Sequence, residues 1–124
     1  MIEKSKIDIQ VKAYPGKGRG VCTMEKVREG DVIERLPVLV IEPEIYQVVR
    51  TLPFINHTFV WGDGAKRAGA IGFGFSSLCN HSPEPNAIVR KDYANDAMEL
   101  IALREIPEGE EVTIKYHNVF FKVA

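Results

Sequence analysis

Asn80-His81-Ser82-Pro83-Glu84-Pro85-Asn86, followed 23 residues later by Gly109-Glu110-Glu111-Val112-Thr113-Ile114-Lys115-Tyr116, decides how this chain is read. The first stretch sets an amide and an imidazole ahead of two prolines. The amide offers a donor and an acceptor on one short side chain. The second is a turn running into an alternating strand that ends on a tyrosine. A third piece, Gly16-Lys17-Gly18-Arg19-Gly20-Val21, lies near the N-terminus. Its glycines lack a Cβ, so backbone amides and carbonyls can approach a ligand closely. A tight surface turn explains the third piece alone, and an Asx-rich turn explains the first. Their joint occurrence, in this order, is harder to reach by accident.

Outward from these motifs the chain reads as many short strands. Ile7–Val11 alternates apolar and polar, Pro15–Gly18 breaks it, and Gly20–Thr23 resumes extended structure. Val27–Asp31 is a turn around Gly30. Val32–Leu36 and Val38–Ile41 follow as strands, with Pro37 at an edge or a bulge because it has no N–H to donate. After Pro43 a short helix is expected, with Ile45, Val48, Val49 and Leu52 on its apolar face and Pro53 at its end. Phe59–Trp61 and Ala68–Phe75 are strand candidates, and Ser76–Cys79 is a helical turn or tight bend. Ala87–Arg90 and Met98–Leu103 form a hairpin, a turn spans Glu105–Glu110, and Val112–Tyr116 is the last strand. Phe73 and Phe75, two apart on one strand, share a face in this reading. The pattern carries no internal repeat, linker or second domain.

With 124 residues the chain fits one domain, 1–124. An apolar share of 45% and a charged share of 27% are ordinary for a globular protein, which excludes wholesale disorder. A net charge of −1 gives no general drive toward nucleic acid or acidic membranes. The run Ala68–Phe75 is far below the roughly 20 residues that cross a bilayer, and the N-terminus carries no targeting pattern. Cys22 and Cys79 form no CxxC zinc pattern and no disulfide framework. They are expected as small buried hydrophobes in a reducing, intracellular setting, cytoplasmic or, in a eukaryote, nuclear.

The three motifs together resemble the SET-domain protein-lysine methyltransferases over approximately residues 7–118. The resemblance implies a mostly-β fold of small curved sheets around a knot-like C-terminal crossing, of the β-clip type, with a variable insert at about 42–70. It implies S-adenosylmethionine as methyl donor, no metal, and a peptide lysine as acceptor, on a histone or another basic protein. Carried over by position, Lys17, Gly18 and Arg19 form the first cofactor loop, and Asn80 and His81 the central cofactor pair. The ring of His81 is expected to hold crossing segments together rather than act as a base. Tyr116 is the catalytic candidate: a phenolic oxygen beside the transfer axis orients both partners electrostatically. Glu108, Glu110 and Glu111 are expected in structure and solvation. Phe73, Phe75, Phe120 and Phe121 are candidates for the substrate channel or lid, and Tyr46, Phe54 and Trp61 lie in the insert that shapes the peptide groove.

The chain departs from larger relatives in three places. Arg19 stands where the family often carries a bulky aromatic. Pro83-Glu84 replaces the usual small residue or cysteine, so no zinc role is expected there. The lid after Tyr116 is short, and a second copy in a homodimer is the expected source of the missing wall. Two other readings stay open: a SET-like peptide-binding module with weak or no catalysis, and a cofactor-free structural or interaction domain. Binding of S-adenosylmethionine separates the last from the first two.

Overall fold

The computed structural model describes residues 7–62 and 67–116. Its strands are β1 (Ile9–Tyr14), β2 (Gly18–Thr23), β3 (Val32–Ile41), β4 (Thr58–Trp61), β5 (Ala68–Gly72), β6 (Asn80–His81), β7 (Ala87–Asp92), β8 (Ala97–Ala102) and β9 (Glu111–Ile114). One helix, α1 (Pro43–Val49), and short 3-10 turns at Pro53–His57, Phe75–Leu78 and Tyr93–Asn95 connect them. The strands form two sheets, in the orders β1-β2-β9-β6 and β4-β5-β3-β8-β7.

The larger sheet is built on β3, and Pro37 explains how. Val32–Pro37 pairs antiparallel with β8, whereas Val38–Ile41 pairs with β5. Pro37 is therefore neither an edge residue nor a bulge, as the sequence suggested. It sits where the strand changes partners, and there a missing N–H breaks no ladder. Its carbonyl still accepts from the Phe73 amide at 3.0 Å. The bulge lies earlier, between Val32 and Glu34. Beneath the sheets, Val21, Val27, Ile33, Leu100, Ile106 and Val112 form the main core, all nearly or fully buried.

Helix α1 forms where expected but presents a different face. Tyr46 and Val49 are buried with Ile41 and Ile55, while Ile45 and Val48 are more than half exposed. The cause lies in β5. A Cβ at Gly69 would come within 2.3 Å of the Tyr46 ring, so the bare backbone there is the seat of that ring. A planar ring laid on a glycine covers more strand surface than the aliphatic stripe does, and it sets the helix rotation. Strand β5 also stops short, at Gly72, so Phe73 and Phe75 do not share a strand face. Both are exposed, one just past the strand and one opening the next turn.

Val27 and Ile106, both fully buried, face each other in a two-bond bridge (2.9 Å each way). Each opens a turn of matching pattern, Val27-Arg28-Glu29-Gly30-Asp31 and Ile106-Pro107-Glu108-Gly109-Glu110. Gly30 and Gly109 take nearly the same positive φ, 87° and 86°. The two turns thus match in backbone conformation as well as in pattern. Cys22 and Cys79 are buried free thiols, as expected.

Candidate functional site

The smaller sheet brings the three motifs together. Strand β9 pairs antiparallel with β2 through Val21↔Val112 and Cys22↔Glu111, and parallel with β6 through Asn80↔Thr113 and His81↔Ile114. Segments from both ends and the middle of the sequence therefore meet on one short strand. Asn86 fastens them: its Oδ1 accepts from the Thr113 amide at 2.9 Å, and its Nδ2 donates to the Glu111 carbonyl at 2.8 Å. It fixes backbone, as the sequence suggested, but backbone some 25 residues away rather than its own turn.

Glu110 and Glu111 diverge, as successive strand-flanking residues do. Glu110 takes Asn86 Nδ2 at 2.9 Å and Arg104 at 2.6 Å, two contacts that hold its carboxyl below the usual carboxylate range despite the opposing effect of burial. Glu111 turns the other way and links two motifs. One oxygen accepts from Asn80 Nδ2 at 2.7 Å, and the other lies 3.4 Å from Lys17 Nζ. Gly20 makes room for this contact, since a Cβ there would meet Asn80 Nδ2 at 2.5 Å and Glu111 Oε2 at 2.7 Å. Arg19 lies exposed on β2, paired with Ala13 of β1, and its side chain makes no hydrogen bond or ion pair among the described residues.

This corner suits a zwitterionic amino-acid group. Lys17 offers a cation, Glu111 an anion, and Asn80 an amide oxygen not engaged by any protein donor among the described residues. The buried Tyr14 hydroxyl beside them meets no oxygen or nitrogen partner among the described residues, only the weakly bonding Cys22 thiol, so a polar ligand atom or a water there would be stabilised. Positive φ at Gly16 and Gly18, 77° each, with open space outside both, leaves the loop's backbone groups accessible.

Tyr116 sits at the meeting point of two faces. Its amide donates to His81 Nδ1 at 2.9 Å, and its hydroxyl donates to the Cys79 carbonyl at 2.7 Å. The His81 ring does hold crossing segments together, across 35 residues of sequence. Burial, with the nearby Cys79 and Glu111 groups, pushes the Tyr116 phenol up to about 12, so it stays protonated through neutral pH. On the other side, a cleft of about 460 Å³ opens between β4 and β7, the two edges of the larger sheet. Phe59, Val60, Ile88, Val89, Lys91 and Leu103 line it, and Ile114, Lys115 and Tyr116 close its floor. None of Lys17, Gly18, Arg19, Asn80 or His81 reaches it. Phe73 and Phe75 lie outside its lining too, and Phe120 and Phe121 fall outside the described residues. The side chain of Phe54 is likewise not described.

One residue that sequence reasoning passed over is Glu34. Its carboxylate accepts from the amides of Phe75 (3.0 Å) and Ser76 (2.8 Å) and from the buried Ser76 hydroxyl. It caps the turn Phe75–Leu78 that delivers Cys79, Asn80 and His81. A Cβ at Gly74 would touch both Glu34 oxygens at 2.9 Å, so that glycine clears the way for the carboxylate. The only signal in the sequence was an acid interrupting an apolar strand. Among the described residues, no group of three or more His, Cys, Asp or Glu is placed to hold a metal.

His81 gives a first expected result. Its imidazole is held below the ordinary histidine value, chiefly by burial and then by the charge of Lys115. Nδ1 must be unprotonated to accept from Tyr116, so a neutral ring is the folded form. A group depressed on folding contributes stability above its unfolded value, about 6.5, and loses it as pH falls through the lower folded value. Thermal midpoints should therefore fall from about pH 6.5 downward, and His81→Phe should flatten that part of the profile. An identical slope in the variant would remove His81 from the account.

The SET domain model matches residues 18–117. The chain is 35% identical over 109 residues, 87% of its own length and 72% of the relative's, to a Schizosaccharomyces pombe histone-lysine N-methyltransferase specific for H3 lysine-37. It is similar in structure to a candidate histone methyltransferase from Plasmodium falciparum, with a TM-score of 0.69 and 26% identity, covering 94% of this chain and 98% of that one. The Neurospora SET domain protein DIM-5, a histone lysine methyltransferase, shares the fold at a TM-score of 0.70 and 20% identity, covering 95% and 55%. The chain belongs to the SET domain family. It is an enzyme of S-adenosylmethionine-dependent protein-lysine methylation.

Proposed function

We propose that the Lys17–Asn80–Glu111 corner holds the amino-acid end of S-adenosylmethionine, that the β4–β7 cleft admits the acceptor lysine, and that Tyr116 stands where the two meet. The observation that carries this reading is the position of Tyr116, bonded to the Asn80-His81 segment behind it and lining the cleft in front. When bound, S-adenosylmethionine supplies a methyl group made electrophilic by a sulfonium sulfur. The chain's own groups meet the remaining demands. The Tyr116 and Cys79 oxygens, 2.7 Å apart, present negative partial charge at one point, which favours a carbon bearing positive charge. The apolar cleft walls strip water from an incoming amine and align it. A lysine amine has an ordinary pKa near 10.4 and must be neutral to react. Tyr116 is a protonated donor with its proton engaged, so it orients the amine and leaves deprotonation to solvent before entry. Rates should accordingly rise toward alkaline pH.

A histone acceptor is supported by the S. pombe relative's stated specificity, and an intracellular site of action belongs to the same proposal. The test of the cofactor corner is calorimetric titration with S-adenosylmethionine. Asn80→Ala removes the amide and releases Glu111, and should weaken binding by about 1–3 kcal/mol in a folded protein. Unchanged affinity would move the cofactor away from Asn80. Transfer of a labelled methyl group into the proteome of the native cell, with mass spectrometry of labelled bands, identifies the acceptor.

A further inference from the structure

The cleft that ends on Tyr116 has an uneven charge. Its charged lining residues are Lys91 and Lys115, and among the described residues no aspartate or glutamate lines it. Neither lysine has an ion pair with any described residue. The acids that flank Lys91 on β7 and on the neighbouring β8 are engaged elsewhere. Asp92 follows Lys91 on β7 but, as strand alternation requires, turns away to Arg35 (2.9 Å) and Asn95 (2.9 Å). Glu99, on the neighbouring strand, is taken by Arg90 and Arg35. A third cation, Arg67, stands close enough to Lys91 to act on it, and its buried Nε has no hydrogen-bond partner among the described residues. Burial first, and then this guanidinium, hold the Lys91 ammonium below the ordinary lysine value.

A cleft whose charged lining residues are both cations is a poor host for a lysine flanked by further lysines or arginines, since like charges in a confined apolar cleft repel with little screening. We infer that the acceptor lysine of the preferred substrate is flanked, within a few residues, by an aspartate or glutamate whose carboxylate pairs with Lys91 and Lys115 while the lysine reaches Tyr116. This rests on the β4–β7 cleft being the acceptor side, and it narrows the substrate class. The requirement is local, so a protein of any overall charge, a histone included, satisfies it with one suitably placed acid. A carboxylate beside Lys91 also stabilises that ammonium's charged form, which burial and Arg67 disfavour.

The test uses the full chain and three fluorescent peptides of equal length. Each has one central lysine, flanked by alanine, by glutamate or by arginine. Binding is read by anisotropy in the presence of S-adenosylhomocysteine, and methyl transfer is read separately on the same peptides. At low ionic strength the glutamate peptide should bind roughly ten-fold tighter than the alanine peptide, and the arginine peptide weakest. The spread should shrink in 0.5 M salt, about one order of magnitude above a dilute buffer. Lys115→Glu, a change at an exposed position, and Lys91→Gln should each narrow the preference, and together they should abolish it. A phosphoserine-flanked peptide distinguishes the source of the negative charge. Binding it well above the glutamate peptide would overturn a carboxylate as the partner. Equal binding of all three peptides, or a preference that survives both variants, would overturn the inference even if transfer proceeds. Charge-dependent binding without transfer upholds charge selection by the cleft and counts against the catalytic reading of Tyr116.

Discussion

Replacing Tyr116 with phenylalanine is expected to lower kcat for methyl transfer by about two to three orders of magnitude, the usual cost of removing one preorganised polar group at a reacting centre. The ring would remain against His81, at a centroid distance of 5.3 Å, so packing is largely kept. The hydroxyl's bond to the Cys79 carbonyl would be lost, at a stability cost of about 1 kcal/mol. Affinity for S-adenosylmethionine should change little, because the Lys17–Glu111–Asn80 corner is untouched. Equal falls in kcat and kcat/KM, with an unchanged cofactor Kd, are the expected signature of an interaction made only during transfer. Turnover within about two-fold of the unsubstituted enzyme would take Tyr116 out of the chemistry.

Glu34→Ala should produce the largest combined effect. It leaves the Phe75 and Ser76 amides and the buried Ser76 hydroxyl without their acceptor. Unmet donors of this kind cost about 2–4 kcal/mol together, read as a lower denaturant midpoint. The turn they cap ends at Cys79, whose carbonyl faces the Tyr116 hydroxyl, so its loosening should also cut kcat at least ten-fold by misplacing that oxygen by a fraction of an ångström. Glu34→Gln keeps one acceptor oxygen in nearly the same volume and should recover part of both losses. A variant that loses stability but keeps full kcat under native conditions would reduce Glu34 to a purely structural residue.

Much of the fold was legible because short strands announce themselves through alternation and through Gly and Pro punctuation, as β1, β2, β7, β8 and β9 did. Helix α1 shows where that logic stops. Periodicity located the helix, yet the buried face was chosen by Gly69, a residue some 20 positions away whose missing side chain receives Tyr46. Pro37 reads as an edge residue from its chemistry alone. Only the exchange of β8 for β5 along a single strand lets it sit mid-sheet.

The candidate site divides in the same way. The sequence by itself determined the family motifs, pointed to Lys17, Gly18, Arg19, Asn80, His81 and Tyr116 as candidates, and led to the conclusion that Glu110 and Glu111 are not a converging acid pair. Those readings depend on residue type and near spacing, which a linear text preserves. The tertiary structure alone decided that Glu111 joins the glycine loop to Asn80, that Asn86 pins β9, and that Glu34 caps the turn leading to Cys79. It also decided that the charged residues lining the β4–β7 cleft are, among the described residues, both lysines. Each of these is a contact between groups tens of residues apart along the chain. Such contacts are set by which strands pair and how the sheets curl, and no local pattern of side chains records that.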